Sequence, residues 1–460
     1  MTHRRQAADR TRSPRTPSPA RSASSARGPT PARRVLTIFL IMGLAFVVRL
    51  AAVLWLSDTV PFSDYLYYHM AGEKIASNWG FLFDSSQVEV YGKFGWWPPL
   101  YPVFIGALYS LFSVEHRIVV FVQILLGTLA CGLVYRLGKR LGGENAGRIA
   151  GGLVAIHPTY VFATNLLASE NLFVVWLLLG LLCVTLPPSR RTFAGAGILF
   201  GLAALTRASG LVLPAVAGFW LLARAKWRRP GWIACAWMLG ACSATIAPWT
   251  LRNTLVVGSP AIVCYGGGLN FYFGHNAEGI GYRDLSLTPM ADLTTQAAID
   301  RTGYRLAWAY IGTDPAGFVS RGVRKVVALF GSPRWAPHDN SAISLPEGWT
   351  TNPDVALVAE AMRAKQRAKN RWLDGFFTWI AAAIGKLVLC GGIVAAVRWK
   401  KLGTDAQLLV YLCLGWIGAH VFFWAQPRFR YPIEIFLILL TALAMAQLWT
   451  ERTRSAMGRK

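Results

Sequence analysis

Charged residues are scarce in this 460-residue sequence, and their 15% share argues against an ordinary soluble protein. Seven cysteines are present, but they form no Cys-x-x-Cys pair and nearly all of them lie inside apolar runs. Neither a disulfide framework nor a zinc cluster is therefore predicted. The glycine-rich stretch 265–276 lacks the strand and helix that flank a nucleotide-binding loop. No separate soluble domain is expected.

Positive charge is abundant, with a formal net charge of +25, but it is unevenly placed. Residues 1–34 alone hold nine arginines against one acid, Asp9. The other basic residues form short clusters between apolar runs, which is typical of membrane proteins and not of a nucleic-acid groove. Nucleic acid is therefore not expected as a partner. Segment 1–34 is predicted to be a disordered basic cytoplasmic tail, with a transit peptide as the alternative.

Long apolar runs dominate the remaining sequence, and about 20 apolar residues can cross the roughly 30 Å hydrocarbon core of a bilayer. The run 98–113 is short and opens with prolines, so a re-entrant or interfacial helix is preferred, with a kinked continuation into 117–136 as the alternative. The predicted fold is an all-α polytopic bundle of about 10–12 transmembrane helices. The ten predicted spans are 35–56, 117–136, 147–164, 170–186, 193–207, 209–223, 232–251, 376–398, 406–425 and 431–450.

The short basic loops set the predicted orientation, because Lys and Arg near span ends stay on the cytoplasmic side. Ten spans place all these loops inside and both long polar stretches, 57–97 and 252–375, outside. The chain then divides into regions along its length. These are the tail 1–34, an N-terminal membrane module 35–251 that includes outer loop 57–97, an extracytoplasmic loop region 252–375, C-terminal spans 376–450 and a basic cytoplasmic tail 451–460.

Asp64 is the first candidate for chemistry. It opens a predicted amphipathic helix, 64–78, on the outer membrane surface. A carboxylate at a helix N-terminus is often only a cap. Its place just after the first span, with Tyr67 and Tyr68 one turn on, favours a functional role.

Glu170 is the second acidic candidate, at the outer turn between two spans. A charge beside apolar runs is costly and therefore points to function. The alternative is structural, with Ser169 as N-cap and Glu170 in the first helical turn. The charge topology places Asp64 and Glu170 on the same face.

Arginines at the mouth of the last span form a third candidate group. Arg428 and Arg430 lie on the side where basic residues are disfavoured, so each needs a partner. Arg430 could pair with Glu434, four residues on, or the guanidiniums could bind a donor phosphate. Further outer-face cations of the same kind are Lys93 and Arg252.

Aromatic residues are dense along the predicted outer boundary. An interfacial belt is the usual explanation, and a sugar or lipid site is the alternative. His275 is expected at the surface and not as a metal ligand. The candidates for lining a substrate site are Tyr67, Tyr68, Trp97, His275 and Tyr431.

Seven segments in order carry a family resemblance: SDYLYYHMAGEKIASNWGF, WWPPLYPVFIGALY, LLASENLF, GLAALTRASGLVLP, APWTLRNT, GGGLNFYFGHN and RFRYPIE. Over residues 35–450 the chain resembles the bacterial C-type (GT-C) glycosyltransferases of the family 39 and protein-mannosyltransferase kind. The resemblance implies a multi-pass enzyme of the bacterial plasma membrane with an extracytoplasmic active site. It would move a sugar from a polyprenyl-phosphate donor to a lipid, glycan or protein acceptor. Asp64 would be the catalytic carboxylate, and Glu170 would have a supporting acidic role.

One departure from this pattern concerns the donor phosphate. The lipid A aminoarabinose transferases carry a Glu-Lys pair before the double proline, where this chain has Trp96 and Trp97. Their lysine contact therefore does not transfer, and Lys93 or the arginines must be considered instead.

The chemistry of such a transfer needs few groups. A carboxylate can take the proton of an acceptor hydroxyl, and cations can stabilise the departing polyprenyl phosphate. This suits inversion by direct displacement, whereas paired carboxylates are the hydrolase arrangement. No cofactor is certain, although Asp64 with Glu170 could hold Mg²⁺ or Mn²⁺. The alternative is a transporter or flippase of lipid-linked intermediates, favoured by Arg49 and Lys386 inside spans.

Overall fold

Helices and short 3₁₀ turns make up the regular structure of the computed structural model, which describes residues 31–55, 64–83, 95, 97–276, 288–331 and 371–457. The predicted all-α class is confirmed. The α-helices in these ranges are α1 Pro31–Trp55, α2 Asp64–Ser77, α3 Leu100–Leu111, α4 His116–Ile156, α5 Pro158–Phe162, α6 Glu170–Thr185, α7 Arg190–Thr206, α8 Val212–Arg224, α9 Arg229–Val257, α10 Gly266–Gly274, α11 Gln296–Thr313, α12 Pro315–Leu329, α13 Arg371–Val397, α14 Thr404–Phe422 and α15 Tyr431–Met457.

Six helices in the described part are long and apolar enough to cross a membrane. They are α1, α4, α9, α13, α14 and α15, the last with the 3₁₀ turn that precedes it. Helices α3 and α6, and α8 with the residues just before it, are apolar but shorter. The chain is therefore a multi-pass membrane protein.

Helix α4 consists of two antiparallel arms joined at Gly143, whose φ of 86° is in the left-handed region that favours glycine. A Cβ atom placed on Gly151 would lie 3.3 Å from the carbonyl oxygen of Cys131. Along a straight helix these residues would be about 30 Å apart. The hydroxyl of Tyr135 also donates to Glu144 across the turn, at 2.6 Å. The arms correspond to the predicted spans 117–136 and 147–164.

Helix α3 covers the run 98–113, and its 12 residues extend only about 18 Å. It lies against α2, where glycines allow close contact. A Cβ atom on Gly72 would come within 2.3 Å of Ile105, and one on Gly106 within 2.5 Å of Ile75. At this length α3 is shorter than the roughly 30 Å hydrocarbon core, and α2 ends one residue before the end of the predicted helix 64–78.

The hydrophobic core surrounds α15, whose first four turns are almost entirely buried. Phe436 and Ile438 of α15 pack in the same cluster as Val134 of α4 and Phe173 of α6. The indole of Trp416 in α14 donates to the carbonyl of Phe429 at 3.0 Å. The start of α15 is consequently held firmly against its neighbours.

Different polar contacts are found at the two ends of the bundle. At one end the predicted cytoplasmic loops contact one another, and at the other end the acidic candidates meet arginines. The first set comprises Arg140 with Thr185, Arg224 with Asp405, and Arg398 with Glu451, and the second comprises Asp64 with Arg428 and Glu170 with Arg207.

Helices extend into both predicted tails. Helix α1 begins at Pro31, inside the segment predicted to be disordered, while residues 1–30 lie outside the described ranges. Helix α15 continues to Met457, through most of the predicted tail 451–460. Neither segment holds a helix breaker after its helix begins, and proline at a first helical position is well tolerated.

Candidate active site

Asp64 and Arg428 form a partly exposed ion pair at the site end of the bundle. Asp64 is the first residue of α2, and Arg428 lies in the 3₁₀ turn before α15. Nη2 of Arg428 donates to Oδ2 of Asp64 at 2.9 Å. Their side chains are 33% and 28% exposed, so both charges remain open to a ligand.

Glu170 forms a second, more buried ion pair. Its Oε1 lies 2.7 Å from Nη1 of Arg207, the residue that follows α7. The same Nη1 donates to the hydroxyl of Ser169 at 2.9 Å. Ser169 stands at the N-cap position of α6 with Glu170 in the first turn, as the structural alternative predicts, but its hydroxyl makes no capping bond to the helix. Arg207, which lies between α7 and α8, donates to the Ser169 hydroxyl instead.

Two tyrosines of α2 connect these ion pairs. Tyr65 is hydrogen-bonded to Arg428, and its pKa is raised to about 12 by burial, opposed by Arg428 and reinforced by Glu170 and Asp64. Burial also raises the pKa of Tyr68, and again the charges of Asp64 and Glu170 act on the phenol. Both acids therefore lie in one electrostatic environment, as the charge topology predicted.

Arg430 forms the ion pair with Glu434 that is the structural alternative to phosphate binding. Its Nε donates to Oε1 of Glu434 at 2.7 Å, and its Nη1 donates to the carbonyl of Gly331 at 2.9 Å. Both side chains of the ion pair are less than 10% exposed. A donor-phosphate role for Arg430 does not fit this geometry, since its guanidinium is buried against protein acceptors.

Arg252 is likewise unsuited to the predicted phosphate site. Its Nε donates to the carbonyl of Leu82 at 2.6 Å and its Nη1 to Asn253 at 3.2 Å. The guanidinium lies over the ring of Trp249, 4.8 Å from its centroid. Arg252 thus secures the turn Trp79–Phe83 against α9. The other predicted cation, Lys93, lies outside the described residues, as does Trp96.

The tyrosines and tryptophan predicted to line a substrate site pack mainly against each other. Tyr67 stacks on Trp97 with ring centroids 3.9 Å apart, and Tyr68 packs edge-on against Tyr101 at 4.8 Å. Tyr431 is buried, and its carbonyl accepts from Tyr160 at 2.7 Å. These contacts hold α2 and the start of α15 beside the acidic groups.

His275 is fully buried, so the expectation of a surface residue is wrong. Its Nε2 lies 2.8 Å from the carbonyl of Phe422 and 2.9 Å from Nζ of Lys325. Lys325 also donates to the carbonyl of Val421 at 2.8 Å. Burial lowers the pKa of His275 to about 4, aided by Lys325, and lowers that of Lys325 to about 7, aided by Arg321. The sequence alone does not show that α12 packs against His275 and buries it.

Arg207 and Tyr65 are site residues that sequence reasoning missed. A signal for Arg207 exists, because it interrupts two apolar runs at an outer turn and must find a partner there. Tyr65 gives no comparable signal beyond its place next to Asp64.

The described residues do not fit the Mg²⁺ or Mn²⁺ site that the sequence leaves open. Within those ranges no group of three or more His, Cys, Asp and Glu side chains gathers. Asp64 and Glu170 each already have an arginine partner, whereas such cations favour several oxygen ligands. No chemical step is therefore assigned to a metal.

The fold defines a class of protein, the all-α polytopic membrane proteins. Residues 97–250 match a family model described as dolichyl-phosphate-mannose-protein mannosyltransferase. The matched region contains Glu170 and Arg207 but neither Asp64 nor Arg428. A comparison with proteins of curated function finds no match.

Solved structures of an oligosaccharyltransferase from Archaeoglobus fulgidus share the fold. Its apo form has a TM-score of 0.55 at 16% identity, covering 93% of this chain and 52% of that one. The complex of archaeal AglB with an inhibitory peptide and a dolichol-phosphate has a TM-score of 0.53 at 15% identity, with the same coverages. A complex with Zn and sulfate has a TM-score of 0.51 at 15% identity, covering 89% and 49%.

The chain spans about half the length of these oligosaccharyltransferases. The likeness nevertheless extends over nearly all of this chain and concerns its fold. Together with the family match, it confirms the resemblance to GT-C membrane glycosyltransferases of the protein-mannosyltransferase kind.

Proposed function

We propose that this protein is an integral-membrane glycosyltransferase that moves a sugar from a polyprenyl-phosphate donor to an extracytoplasmic acceptor. Asp64 acts as general base, and the displacement inverts the anomeric carbon. The single observation that carries the proposal is the accessible Asp64–Arg428 pair, which sets a proton acceptor beside a phosphate-binding cation.

The bond changes follow from this pairing. The carboxylate of Asp64 takes the proton of an acceptor hydroxyl while the oxygen of that hydroxyl bonds to the anomeric carbon. The bond from that carbon to the phosphate oxygen breaks, and polyprenyl phosphate leaves as an anion. Arg428 stabilises the phosphate charge, which a guanidinium matches with two parallel hydrogen bonds. Donor binding therefore requires Arg428 to exchange its bond to Asp64 for bonds to phosphate.

Glu170 has a supporting role in this scheme. It is bonded to Arg207 and shielded from solvent. We assign it to holding α6 and α7 together and to setting the field around Tyr65 and Tyr68. Proton transfer is left to the more exposed Asp64.

Donor, acceptor and location are proposed from chemistry and from the shared fold. The archaeal AglB complex with a dolichol-phosphate supports a lipid-phosphate donor for this chain. Its inhibitory peptide makes a polypeptide one acceptor to test beside lipids and glycans. Basic loops at the opposite end support an extracytoplasmic site in a bacterial plasma membrane.

The decisive experiment compares Asp64→Asn with Asp405→Asn. Both substitutions remove a carboxylate that is paired with an arginine, but Asp405 pairs with Arg224 at the other end of the bundle. We expect Asp64→Asn to lower kcat by roughly 10²- to 10⁴-fold, the usual contribution of a positioned base. The assay is transfer from a radiolabelled polyprenyl-phosphate sugar to extracted envelope acceptors.

Unchanged transfer by Asp64→Asn would overturn the mechanism, and equal losses in both variants would indicate a folding defect. The transporter alternative gains nothing from the structure. Arg49 donates to the carbonyls of Ala45, Val154 and Ala155, which is a structural role, and Lys386 is exposed on α13.

A further inference from the structure

Helix α12 buries two of its three charged side chains and exposes an apolar stripe. Arg321 and Lys325 are 4% and 0% exposed, whereas Val319, Val323 and Val327 are 64%, 60% and 67% exposed. The valines recur every four residues, so they form one stripe along the helix. Isolated surface valines are ordinary, but a continuous apolar stripe marks a contact surface.

The inward side of α12 is fixed by specific bonds. Arg321 donates to Asp314 at 2.7 Å and stacks over the ring of Tyr310. Lys325 contacts His275 and the carbonyl of Val421 near the end of α14. Rotation of the helix would break these bonds, so the valine stripe is held outward.

The position of α12 relates the stripe to the bilayer. Gly322 lies beside Val421, and α14 is one of the helices able to span a membrane. Helix α12 is thus attached at the site end of a span, where the acyl-chain region of the bilayer meets the headgroups. Trp308 of α11, 56% exposed, packs against Phe271, whose ring also contacts Phe423 just after α14. Tryptophan is enriched at such boundaries.

Charge complementarity identifies the occupant. Exposed arginines accompany the apolar side chains on both helices: Arg324 is next to Val323 on α12, and Arg301 and Arg305 are on α11 with Trp308. Valines that enter the acyl region beside arginines that reach headgroup phosphates are the pattern of an interfacial helix.

We propose that α11 and α12 form a lipid-binding surface that is immersed in the outer leaflet and prefers anionic phospholipid. This surface lies in the segment predicted as an extracytoplasmic loop, and it does not depend on whether the protein transfers sugar. The surface anchors the segment that ends at Gly331, whose carbonyl accepts a hydrogen bond from Arg430.

The test places the photo-crosslinking residue p-benzoylphenylalanine at Val323 in the full chain. The protein is reconstituted in nanodiscs of mixed phosphatidylcholine and phosphatidylglycerol, and lipid adducts are measured by mass spectrometry. Leu387, exposed on the span α13, is the lipid-facing standard, and Thr453, exposed near the end of α15, is the solvent control. The same probe at Val319 gives a second reading.

We expect lipid adducts at Val323 and Val319 at a level comparable to Leu387 and well above Thr453. Arg324→Gln should lower the phosphatidylglycerol preference of these adducts by up to about fivefold, the contribution of one basic residue near an anionic surface. Adducts no more abundant than at Thr453 would overturn the immersion of the surface. An unchanged lipid preference in Arg324→Gln would overturn its anionic selectivity.

Discussion

Arg428 is the residue on which donor recognition is expected to depend. It is partly exposed and forms an ion pair with Asp64, to which it donates. Changing Arg428 to Gln should raise the donor KM by roughly ten- to a hundredfold, because a charge-assisted hydrogen bond contributes about 1.5–3 kcal/mol. Donor titration at saturating acceptor measures this change.

Arg224→Gln is the matched control for that experiment, since Arg224 pairs with Asp405 at the other end of the bundle. Its donor KM should stay at the parent value. A donor KM that is likewise unaltered in Arg428→Gln would remove Arg428 from the phosphate site.

The pair of Glu170 and Arg207 should contribute more to stability than to chemistry. Glu170→Gln leaves a largely buried guanidinium without its counter-charge, and breaking a buried pair in this way costs about 3–5 kcal/mol. Thermal unfolding of the detergent-purified protein should therefore shift to lower temperature.

Replacing both members of this pair by leucine should restore part of that loss, because no uncompensated charge is then buried. If Glu170→Gln unfolds at the parent temperature, the pair does not stabilise the bundle. Partial transfer activity in the double variant would distinguish a stabilising role for Glu170 from participation in proton transfer.

Sequence reasoning identified charged residues of the site more reliably than the groups that they contact. Asp64 and Glu170 could be singled out because each carboxylate interrupts or adjoins apolar runs. Arg430 and Arg252 satisfied the same criterion, yet their guanidiniums donate to Glu434 and to the carbonyl of Leu82. Which acceptor a long side chain reaches depends on tertiary packing, and sequence spacing reveals only partners one turn away.

Among the elements, the two-armed helix α4 depends on its turn. Gly143 has φ of 86°, where a Cβ atom introduces strain even though no neighbour lies within 4 Å. Gly143→Ala should destabilise the protein by about 1–2 kcal/mol, the cost of a left-handed conformation for a residue with a side chain. The measurement is the thermal unfolding midpoint of the purified protein.

Gly152→Ala offers a control within the same helix. Gly152 also has open space around its α-carbon, but its φ is not in the left-handed region. Because alanine favours helix over glycine by roughly 0.5–1 kcal/mol, this variant should be neutral or more stable. Equal destabilisation by both substitutions would contradict the argument from φ.

Elements with a strong apolar signal could be predicted, and those with mixed composition could not. The ten apolar runs all correspond to helices or helix arms, because a membrane-embedded backbone must satisfy its own hydrogen bonds. Helices α10 to α12 fell within a stretch predicted only as a loop region. The mixed composition of α12 hides its role, because Arg321 and Lys325 are buried in the protein interior.

For the molecule as a whole, the separation of its two ends predicts a labelling pattern. Ser77 is exposed on α2 at the site end, and Thr453 is exposed near the end of α15. A membrane-impermeant maleimide added to intact cells should label Ser77→Cys but not Thr453→Cys. After permeabilisation both should react, and the parent chain gives the background of its native thiols.

Labelling of Thr453→Cys in intact cells would invert the proposed orientation and place the site in the cytosol. The charge pattern alone could predict the common location of the acidic turns, because it fixes the side on which each loop lies. It could not predict the distances between loops, which depend on how the helices pack around α15.

Arg49 has a consequence for how the chain is made. Its guanidinium, almost fully buried, bonds to Val154 and Ala155, more than 100 residues further along the chain. Until those carbonyls have been synthesised, the guanidinium has only the Ala45 carbonyl of its own helix as an acceptor, and an arginine at the centre of a spanning helix costs about 2.5–3.5 kcal/mol. The first helix should therefore stay beside the translocon during synthesis and enter lipid together with α4, whose carbonyls accept hydrogen bonds from Arg49.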